Sequence, residues 1–285
     1  MSSEVLKMIK GVDVSSYQGV IDWKKAKAAG VGFVILRSIL KNGTLDSSFN
    51  RNYESARAVG LPVGLYKYSY AMTVEQARAE AQAVVKALSG RPLQCNVWMD
   101  LEDSSQRRLS KSQLTAIIEA FKNVIESAGY KFGIYCNVDW YKNVIDVKKF
   151  TCPFWIARYP DSKTIKLTVK ASSKSKPIIS HELWGWQYSS KGQVDGIKGN
   201  VDVNECYVEL TDTQAETEEG YDMPMIKRGS RGKVVKLWQI IVGVEPDGAF
   251  GILTENATKV FQVEHNLKND GIVGAKSWKA GLESV

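Results

Sequence analysis

A regular alternation of apolar and amphipathic segments constrains the fold of this chain more than any other feature of its sequence. As far as residue 147, each short apolar segment is followed by one with helical periodicity, and glycine residues often end the helices. The predicted strands are Ile9–Ser15, Gly32–Arg37, Leu61–Tyr68, Val97–Glu102 and Lys131–Cys136. The predicted helices are Asp22–Ala29, Ser47–Val59, Val74–Leu88, Ser110–Ala128 and a weaker Asp139–Val147. Because strand–helix units build parallel sheets, the pattern predicts a barrel of parallel character.

The alternation fails in the following residues. Phe154–Tyr159, Leu183–Tyr188 and Val201–Asn204 have the composition of strands, but no convincing helix separates them. The Lys- and Ser-rich segment 162–176 is typical of an exposed loop. Five strand–helix units followed by three strands therefore predict an α/β fold, an irregular (β/α)-barrel.

Four acidic residues, Asp13, Asp100, Glu102 and Asp202, lie near predicted carboxyl ends of strands, where barrel enzymes carry their chemistry. Asp100 and Glu102 share one strand face, because side chains alternate along a strand. Like charges this close raise the pKa of one partner, and a protonated acid beside an ionised carboxylate can break a glycosidic bond. An isolated Asp-x-Glu is more often a pair of solvated acids. The expected convergence of all four acids on one mouth is therefore the main argument for a catalytic site.

Aromatic side chains at the predicted strand ends are candidates for sugar binding. They are Tyr66, Tyr68, Tyr135, Trp155, Trp186 and Tyr188. Any single one is more often a core residue, but we expect two or three of the group to line the groove. Arg37 ends a buried strand, where an unpaired guanidinium is costly, so we expect it to pair with a site carboxylate.

Charge, cysteine and histidine content exclude several classes of function. The net charge of +7 favours an anionic partner, but no Lys/Arg stripe interleaved with aromatic residues indicates nucleic acid, whereas an anionic cell wall fits. Four cysteines without metal-ligand spacing are interpreted as structural thiols. With only two histidines in the sequence, Ser-His or Cys-His catalysis is improbable and a histidine-rich zinc site is excluded. We therefore expect no metal and no cofactor. No apolar run is long enough to cross a bilayer, and no secretory signal is found, so synthesis in the cytoplasm is expected, with action at the wall after release.

A change in composition divides the chain. Residues 211–222 are acidic and almost without aliphatic side chains, which is typical of a solvated linker between a domain at 1–210 and one at 223–285. The second domain contains a tandem repeat with a constant offset of 23 residues, which relates Gln239 to Gln262 and Asp247 to Asp270. Each repeat is predicted to be a short amphipathic helix and a glycine turn, which pack together because neither can bury its apolar face alone. No titratable cluster lies here, which favours binding over catalysis.

Several motifs resemble the family 25 glycoside hydrolases, the lysozymes (N-acetylmuramidases) of bacteria and their phages. These motifs are Gly11–Gly19 with Ile21–Trp23, Gly64–Tyr68, Met99–Glu102, Trp184–Tyr188, Asp195–Ile197 and Asp202–Asn204. The resemblance implies a barrel of five strand–helix units and three further strands, with Glu102 as the proton donor and Asp13, Asp100 and Asp202 as the other acids. Lys67 departs from the family pattern, which often has His between the aromatic residues.

The repeat resembles the small helical peptidoglycan-binding domain of many wall hydrolases. Two domains, a linker and no signal sequence together resemble a phage endolysin, and a bacterial autolysin is the close alternative.

A mechanism follows as a hypothesis. Glu102 would protonate the oxygen that links N-acetylmuramic acid to N-acetylglucosamine, and Asp100 is too close to it for an inverting water, so Asp100 would orient the substrate's own 2-acetamido group. Asp13 and Asp202 would stabilise positive charge and help to keep Glu102 protonated. A chitinase-like hydrolase and a non-catalytic glycan-binding barrel remain as alternatives.

Overall fold

The computed structural model describes residues 8–160, 163–210, 223–265 and 267–284. The chain divides into two compact units, Met1–Gln214 and Ala215–Val285. The predicted linker, 211–222, lies outside the described residues. The proposed domain limits therefore stay a prediction.

The larger unit alternates strands and helices as far as its fifth strand. Its strands are Ile9–Val14 (β1), Phe33–Arg37 (β2), Val63–Tyr68 (β3), Val97–Asp100 (β4), Phe132–Asn137 (β5), Phe154–Ala157 (β6), Ile165–Lys166 (β7), Leu183–Gln193 (β8) and Val201–Cys206 (β9). Its α-helices are Trp23–Ala28 (α1), Phe49–Ala58 (α2), Val74–Leu88 (α3) and Lys111–Ser127 (α4). Capping explains several boundaries: Asp22 accepts a hydrogen bond from Lys25 N–H at the start of α1, and Ser110 forms a capping box with Gln113 at the start of α4.

In the described residues, eight strands close into a barrel. Their order is β6-β5-β4-β3-β2-β1-β9-β8, the pairing of β6 with β8 completes the circle, and β7 adds to β8 outside it. Pairs from β1 to β6 are parallel, as is β6 with β8, whereas β9 is antiparallel to both of its neighbours. The predicted irregular (β/α)-barrel is confirmed.

The barrel has an apolar layer on each side of its wall. The interior contains Phe33, Trp98, Trp155 and Trp184, and a second cluster fills the space between the strands and the helices. The Trp98 ring fits in the interior because residue 133 is glycine, since a Cβ on Gly133 would lie 2.3 Å from the indole ring. The interior is thus filled by side chains, and a ligand can enter only at an end of the barrel.

Two sequence predictions differ from the observed local structure. The predicted helix Asp139–Val147 is a π-helical turn at Trp140–Val144 and a 3₁₀ turn at Val147–Lys149. The segment predicted as an exposed loop contains β7 and the buried side chains of Leu167 and Ala171. Lys10 on β1 donates to the carbonyl oxygens of Leu167 and Val169, so this polar segment is fixed by a distant lysine that local composition cannot reveal.

The smaller unit consists of the helices Lys233–Ile241 (α5), Ile252–Glu264 (α6) and Ala275–Glu283 (α7). Its core includes Trp238, Phe261 and Trp278, with Trp238 in edge contact with both other rings. The predicted repeat is visible in the hydrogen bonds. Gln239 accepts from Gly248 N–H and donates to Asp247, and Gln262 accepts from Gly271 N–H and donates to Asp270. Among all described residues, no helix is long and apolar enough to span a membrane.

Candidate active site

Asp13 and Asp202 face each other across an antiparallel strand pair. The register aligns Asp13, near the carboxyl end of β1, with Asp202, the second residue of β9. The sequence prediction that Asp202 lies near the carboxyl end of its strand is therefore wrong. Because β9 is antiparallel to β1, its amino end lies at the same mouth, and the two acids meet there nevertheless. Side chains directly opposite in such a pair have Cβ atoms about 5 Å apart.

Two amide groups hold Asp13. Gln187 Nε2 donates to Asp13 Oδ2 at 2.9 Å, and Asn204 Nδ2 donates to the same oxygen at 2.8 Å. Hydrogen bonds of this kind favour the ionised carboxylate. Burial nevertheless raises the pKa of Asp13 to about 6, since burial outweighs the two amides.

Aromatic donors fix the orientation of both amides. The hydroxyls of Tyr135 and Tyr159 donate to Gln187 Oε1 at 2.8 and 2.6 Å, and Trp155 Nε1 donates to Asn204 Oδ1 at 2.8 Å. Because its oxygen accepts from an aromatic donor, each amide turns its NH₂ group toward Asp13. Gln187, Asn204 and Tyr159 are thus site residues that the sequence analysis missed. Strand alternation carried a signal, because Asn204 lies two residues after Asp202 on the same face.

Asp100 is buried at the carboxyl end of β4. It ends β4, between Tyr68 on β3 and Tyr135 on β5 in register. Its Oδ1 atom is buried and accepts no hydrogen bond from the part of the chain that the structure describes. Burial raises its pKa well above the usual range, and the charges of Glu102, Asp13 and Asp202 raise it further. The charges of the other three acids therefore all act on Asp100, in agreement with the convergence that the sequence analysis expected.

Glu102 occupies a different environment. β4 ends at Asp100, so the prediction that the strand continues through Glu102 is wrong, and the Glu102 side chain is exposed. The surrounding protein still raises its pKa by partial burial. No contribution from Asp13 or Asp202 to that pKa is resolved, whereas the charge of Glu102 raises the pKa values of Asp13, Asp100 and Asp202. The expectation that Asp13 and Asp202 help to keep Glu102 protonated is therefore not supported, since partial burial is the cause that raises the Glu102 pKa.

Arg37 pairs with a carboxylate outside the group of four acids. Its NH2 atom lies 2.7 Å from Asp46 Oδ2, its Nε donates to the same oxygen, and it also donates to Ser16 Oγ at 2.9 Å. The expected pairing with a site carboxylate is therefore wrong, and the partner is a fully buried aspartate from the loop before α2. A loop residue with no periodic pattern gave no sequence signal for this contact.

The predicted aromatic residues separate into two groups. Tyr66, Tyr68 and Tyr135 lie near the acids: after burial, Asp13 raises the pKa of Tyr66, and Glu102 and Asp100 raise that of Tyr68. Tyr135 and the interior Trp155 contact each other, with ring centroids 4.4 Å apart. Trp186 and Tyr188 are not brought to the acids. They belong to the apolar layer outside the barrel wall, because Gln187 between them points inward.

The described residues give little support to thiol or metal chemistry. Cys95, Cys136, Cys152 and Cys206 are buried free thiols, in agreement with the structural role predicted for them. Within the described ranges, no group of three His, Cys, Asp or Glu side chains could hold a metal ion. The chemistry that the mouth offers is proton transfer and charge stabilisation by carboxyl groups.

Two protein-family models match this chain. Residues 12–197 match the family model of glycosyl hydrolases family 25, and residues 237–280 match that of the putative peptidoglycan binding domain, so the resemblance to both is confirmed. The autolytic lysozyme of Clostridium acetobutylicum is 28% identical over 197 residues, which are 69% of this chain and 55% of that protein. The chain thus spans little more than half the length of this relative.

Solved structures show the same fold. The bacterial lysozyme of Streptomyces coelicolor is 25% identical and covers 70% of this chain and 93% of its own, with a TM-score of 0.56. The catalytic domain of an endolysin from a bacteriophage of Listeria monocytogenes is also 25% identical, covers 73% and 97%, and has a TM-score of 0.58.

Proposed function

The chain belongs to the family 25 glycosyl hydrolases, and from that premise we propose that it hydrolyses bacterial peptidoglycan at the β-1,4 bond between N-acetylmuramic acid and N-acetylglucosamine. The observation that carries this proposal is the convergence of four acids at one mouth. Asp13 and Asp202 are register partners, Asp100 ends β4, and the charge of Glu102 raises the pKa values of all three. Cleavage of a glycosidic bond needs a proton donor and a negatively charged stabiliser for the oxocarbenium-like transition state. The mouth provides both kinds of group.

Glu102 is proposed as the general acid. A proton donor must reach the leaving oxygen, and Glu102 is the exposed member of the four acids. A sugar chain that covers it removes water from its carboxyl group, and burial of that kind raises a carboxyl pKa. Substrate binding therefore favours the protonated form of Glu102 that the reaction requires.

Asp100 is proposed to act on the substrate's 2-acetamido group. It ends β4 at the mouth, and its carboxyl group is proposed to accept a hydrogen bond from the substrate N–H. Protonation of the leaving oxygen lets the C1–O bond break with its electron pair on oxygen, while the acetamido oxygen attacks C1 and Asp100 stabilises the resulting cation. Water then opens this cyclic intermediate and returns a proton to Glu102.

Asp13 supplies a fixed negative charge in this scheme. The amides of Gln187 and Asn204 hold its carboxylate in place before substrate arrives, so little reorganisation is needed as positive charge develops. Asp202, opposite Asp13, adds a hydrogen-bonding group for the sugar.

The smaller unit is proposed to hold the enzyme on the wall. Residues 237–280 match a peptidoglycan-binding model, and the net charge of +7 favours an anionic surface. Attachment raises the local concentration of the catalytic unit on its polymer. The proposal is the same whether the chain is a phage endolysin or a bacterial autolysin, because the chemistry does not depend on the source.

Product analysis tests the proposed function. Purified Gram-positive peptidoglycan is incubated with the protein, and the new reducing ends are reduced with borohydride and identified by mass spectrometry. We expect N-acetylmuramitol at the new ends and no new free amines. N-acetylglucosaminitol would identify a different bond, release of amines would indicate an amidase, and equal hydrolysis of chitin would favour the chitinase-like alternative.

A further inference from the structure

Tyr17 is a largely exposed aromatic residue at the mouth, and folding does not explain it. Its side chain is 85% exposed, and the neighbouring Val20 is 72% exposed. Both follow β1, whose carboxyl end carries Asp13. A tyrosine that remains in water on folding contributes little to stability through burial.

The turn that carries Tyr17 is fixed. Ser15 and Gln18 form a capping box, in which Ser15 Oγ accepts from Tyr17 N–H and Gln18 Oε1 accepts from Ser15 N–H. Arg51 donates to the carbonyl oxygen of Gly19 at 2.6 Å. These contacts hold the backbone on both sides of Tyr17 and leave its ring outside.

Arg37 supports the ring from one side. Its guanidinium carbon lies 5.1 Å from the centroid of the Tyr17 ring. The ion pair with the buried Asp46 keeps the guanidinium from turning away into solvent. A guanidinium in this position is attracted to the aromatic face. The ring therefore has a rigid support, and its high exposure leaves area for a ligand.

The support connects Tyr17 to the acid mouth. Arg37 is the register partner of Tyr66, and after burial Asp13 raises the pKa of Tyr66 while Arg37 lowers it. Tyr66 thus lies beside Arg37 in the sheet and within range of the charges of Asp13, Asp100 and Asp202. A sugar chain that occupies the mouth and extends toward β1 meets Tyr17 next.

We propose that Tyr17, supported by Arg37 and extended by Val20, forms an outer subsite that binds a neutral pyranose ring of the glycan strand. Pyranose rings expose C–H faces that pack on aromatic rings, and a rigid aromatic residue binds them at low cost in conformational entropy. The inference rests on the proposed function, because it assumes that the polymer passes through the mouth. The subsite binds substrate and takes no part in bond cleavage.

Kinetics provide the first test. Initial rates on soluble glycan strands are compared for the wild type, Tyr17→Ala and Tyr17→Phe, with Ile178→Ala as a matched control. Ile178 is 92% exposed and precedes β8, at the opposite end of the barrel. We expect Tyr17→Ala to raise KM by about fivefold to tenfold with little change in kcat, and the other two variants to resemble the wild type. An unchanged KM in Tyr17→Ala would overturn the subsite.

A residue-specific measurement separates the subsite from the proposed function. Tetranitromethane nitrates exposed tyrosines, and mass spectrometry reads each one in the full-length Glu102→Gln chain with and without glycan strands. We expect the strands to slow nitration of Tyr17 by about fivefold, since they cover its ring. Unchanged nitration of Tyr17 would overturn the subsite whether or not the wild type cleaves peptidoglycan. Absence of cleavage by the wild type would count against the proposed function alone.

Discussion

Asp13 on β1 and Asp202 on β9 are directly opposite each other, yet their environments differ. Two amides donate to Asp13, and burial raises its pKa to about 6. Burial and the charge of Asp13 raise the pKa of Asp202 to about 8. Near neutral pH this pair of carboxyl groups therefore holds one proton and one negative charge between its two members.

This difference predicts how Asp202 affects stability with pH. Because the pKa of Asp202 is about 8 in the folded chain and about 4 when unfolded, the folded state binds more protons between these values. Its contribution to stability is fully present below pH ~4 and is lost as the pH rises through ~8. Asp202→Asn removes this loss, so its Tm should equal that of the wild type at pH 4 and exceed it by at least about 3 °C at pH 8.5. Thermal unfolding followed by circular dichroism at both pH values measures the difference.

A matched charge removal controls this prediction. Glu119 on α4 is exposed, and Glu119→Gln should change Tm equally little at both pH values. A Tm difference between Asp202→Asn and the wild type that did not grow with pH would contradict the assignment.

Gln187 should affect catalysis through Asp13. Gln187→Met keeps the volume of the side chain but leaves Asp13, Tyr135 and Tyr159 without their shared partner. We expect kcat to fall by about tenfold or more with a smaller change in KM, and stability to fall by about 1–3 kcal/mol. Gln193→Met, an exposed change on the same strand, provides the control in wall-lysis kinetics and urea unfolding. Wild-type kcat in Gln187→Met would show that the orientation of Asp13 does not limit the reaction.

Lys67 should be essential for stability because of its ion pair with Glu80. It is 1% exposed, its Nζ lies 3.3 Å from Glu80, and it donates to the carbonyl oxygen of Tyr68. Lys67→Met leaves Glu80 nearly buried without its cation, so we expect a loss of about 3–5 kcal/mol in unfolding free energy. The double variant Lys67→Met with Glu80→Gln should recover part of this loss. Additive losses in a denaturant-based double-mutant cycle would argue against the pair.

Gly133 should not tolerate a methyl group. Because a Cβ at this position would lie 2.3 Å from the Trp98 ring inside the barrel, Gly133→Ala should cost about 1–3 kcal/mol or prevent folding. Gly251→Ala is the control, since its Cβ would meet nothing within 4 Å and its φ is −91°. Expression level and chemical unfolding compare the two, and equal stability would contradict the packing described for the interior.

Local sequence patterns predicted the helices and strands, whereas the arrangement of the site depends on pairing between distant segments. The helix Val74–Leu88 and the caps Asp22 and Ser110 follow from residues close in sequence, so they could be predicted. The antiparallel direction of β9 could not, because a strand's own composition does not record the direction of its neighbours.

The same limit applies to side-chain partners. The contacts of Arg37 with Asp46 and of Gln187 with Asp13 join residues from separate segments, and periodicity identifies only the face on which each residue lies. The face of Trp186 could not be predicted by alternation either, since the register of β8 shifts between Leu183 and Gly185 and puts Trp184 and Trp186 in different layers.

Glu102 provides the most direct test of the central claim. Reducing-end release from purified peptidoglycan is measured for the wild type, Glu102→Gln and the surface control Glu119→Gln, with folding checked by circular dichroism. Because general acid catalysis contributes about 10²–10⁴-fold, we expect Glu102→Gln to lose at least about a hundredfold in kcat while the control keeps the wild-type rate. A folded Glu102→Gln protein with near-wild-type release of reducing ends would contradict the account.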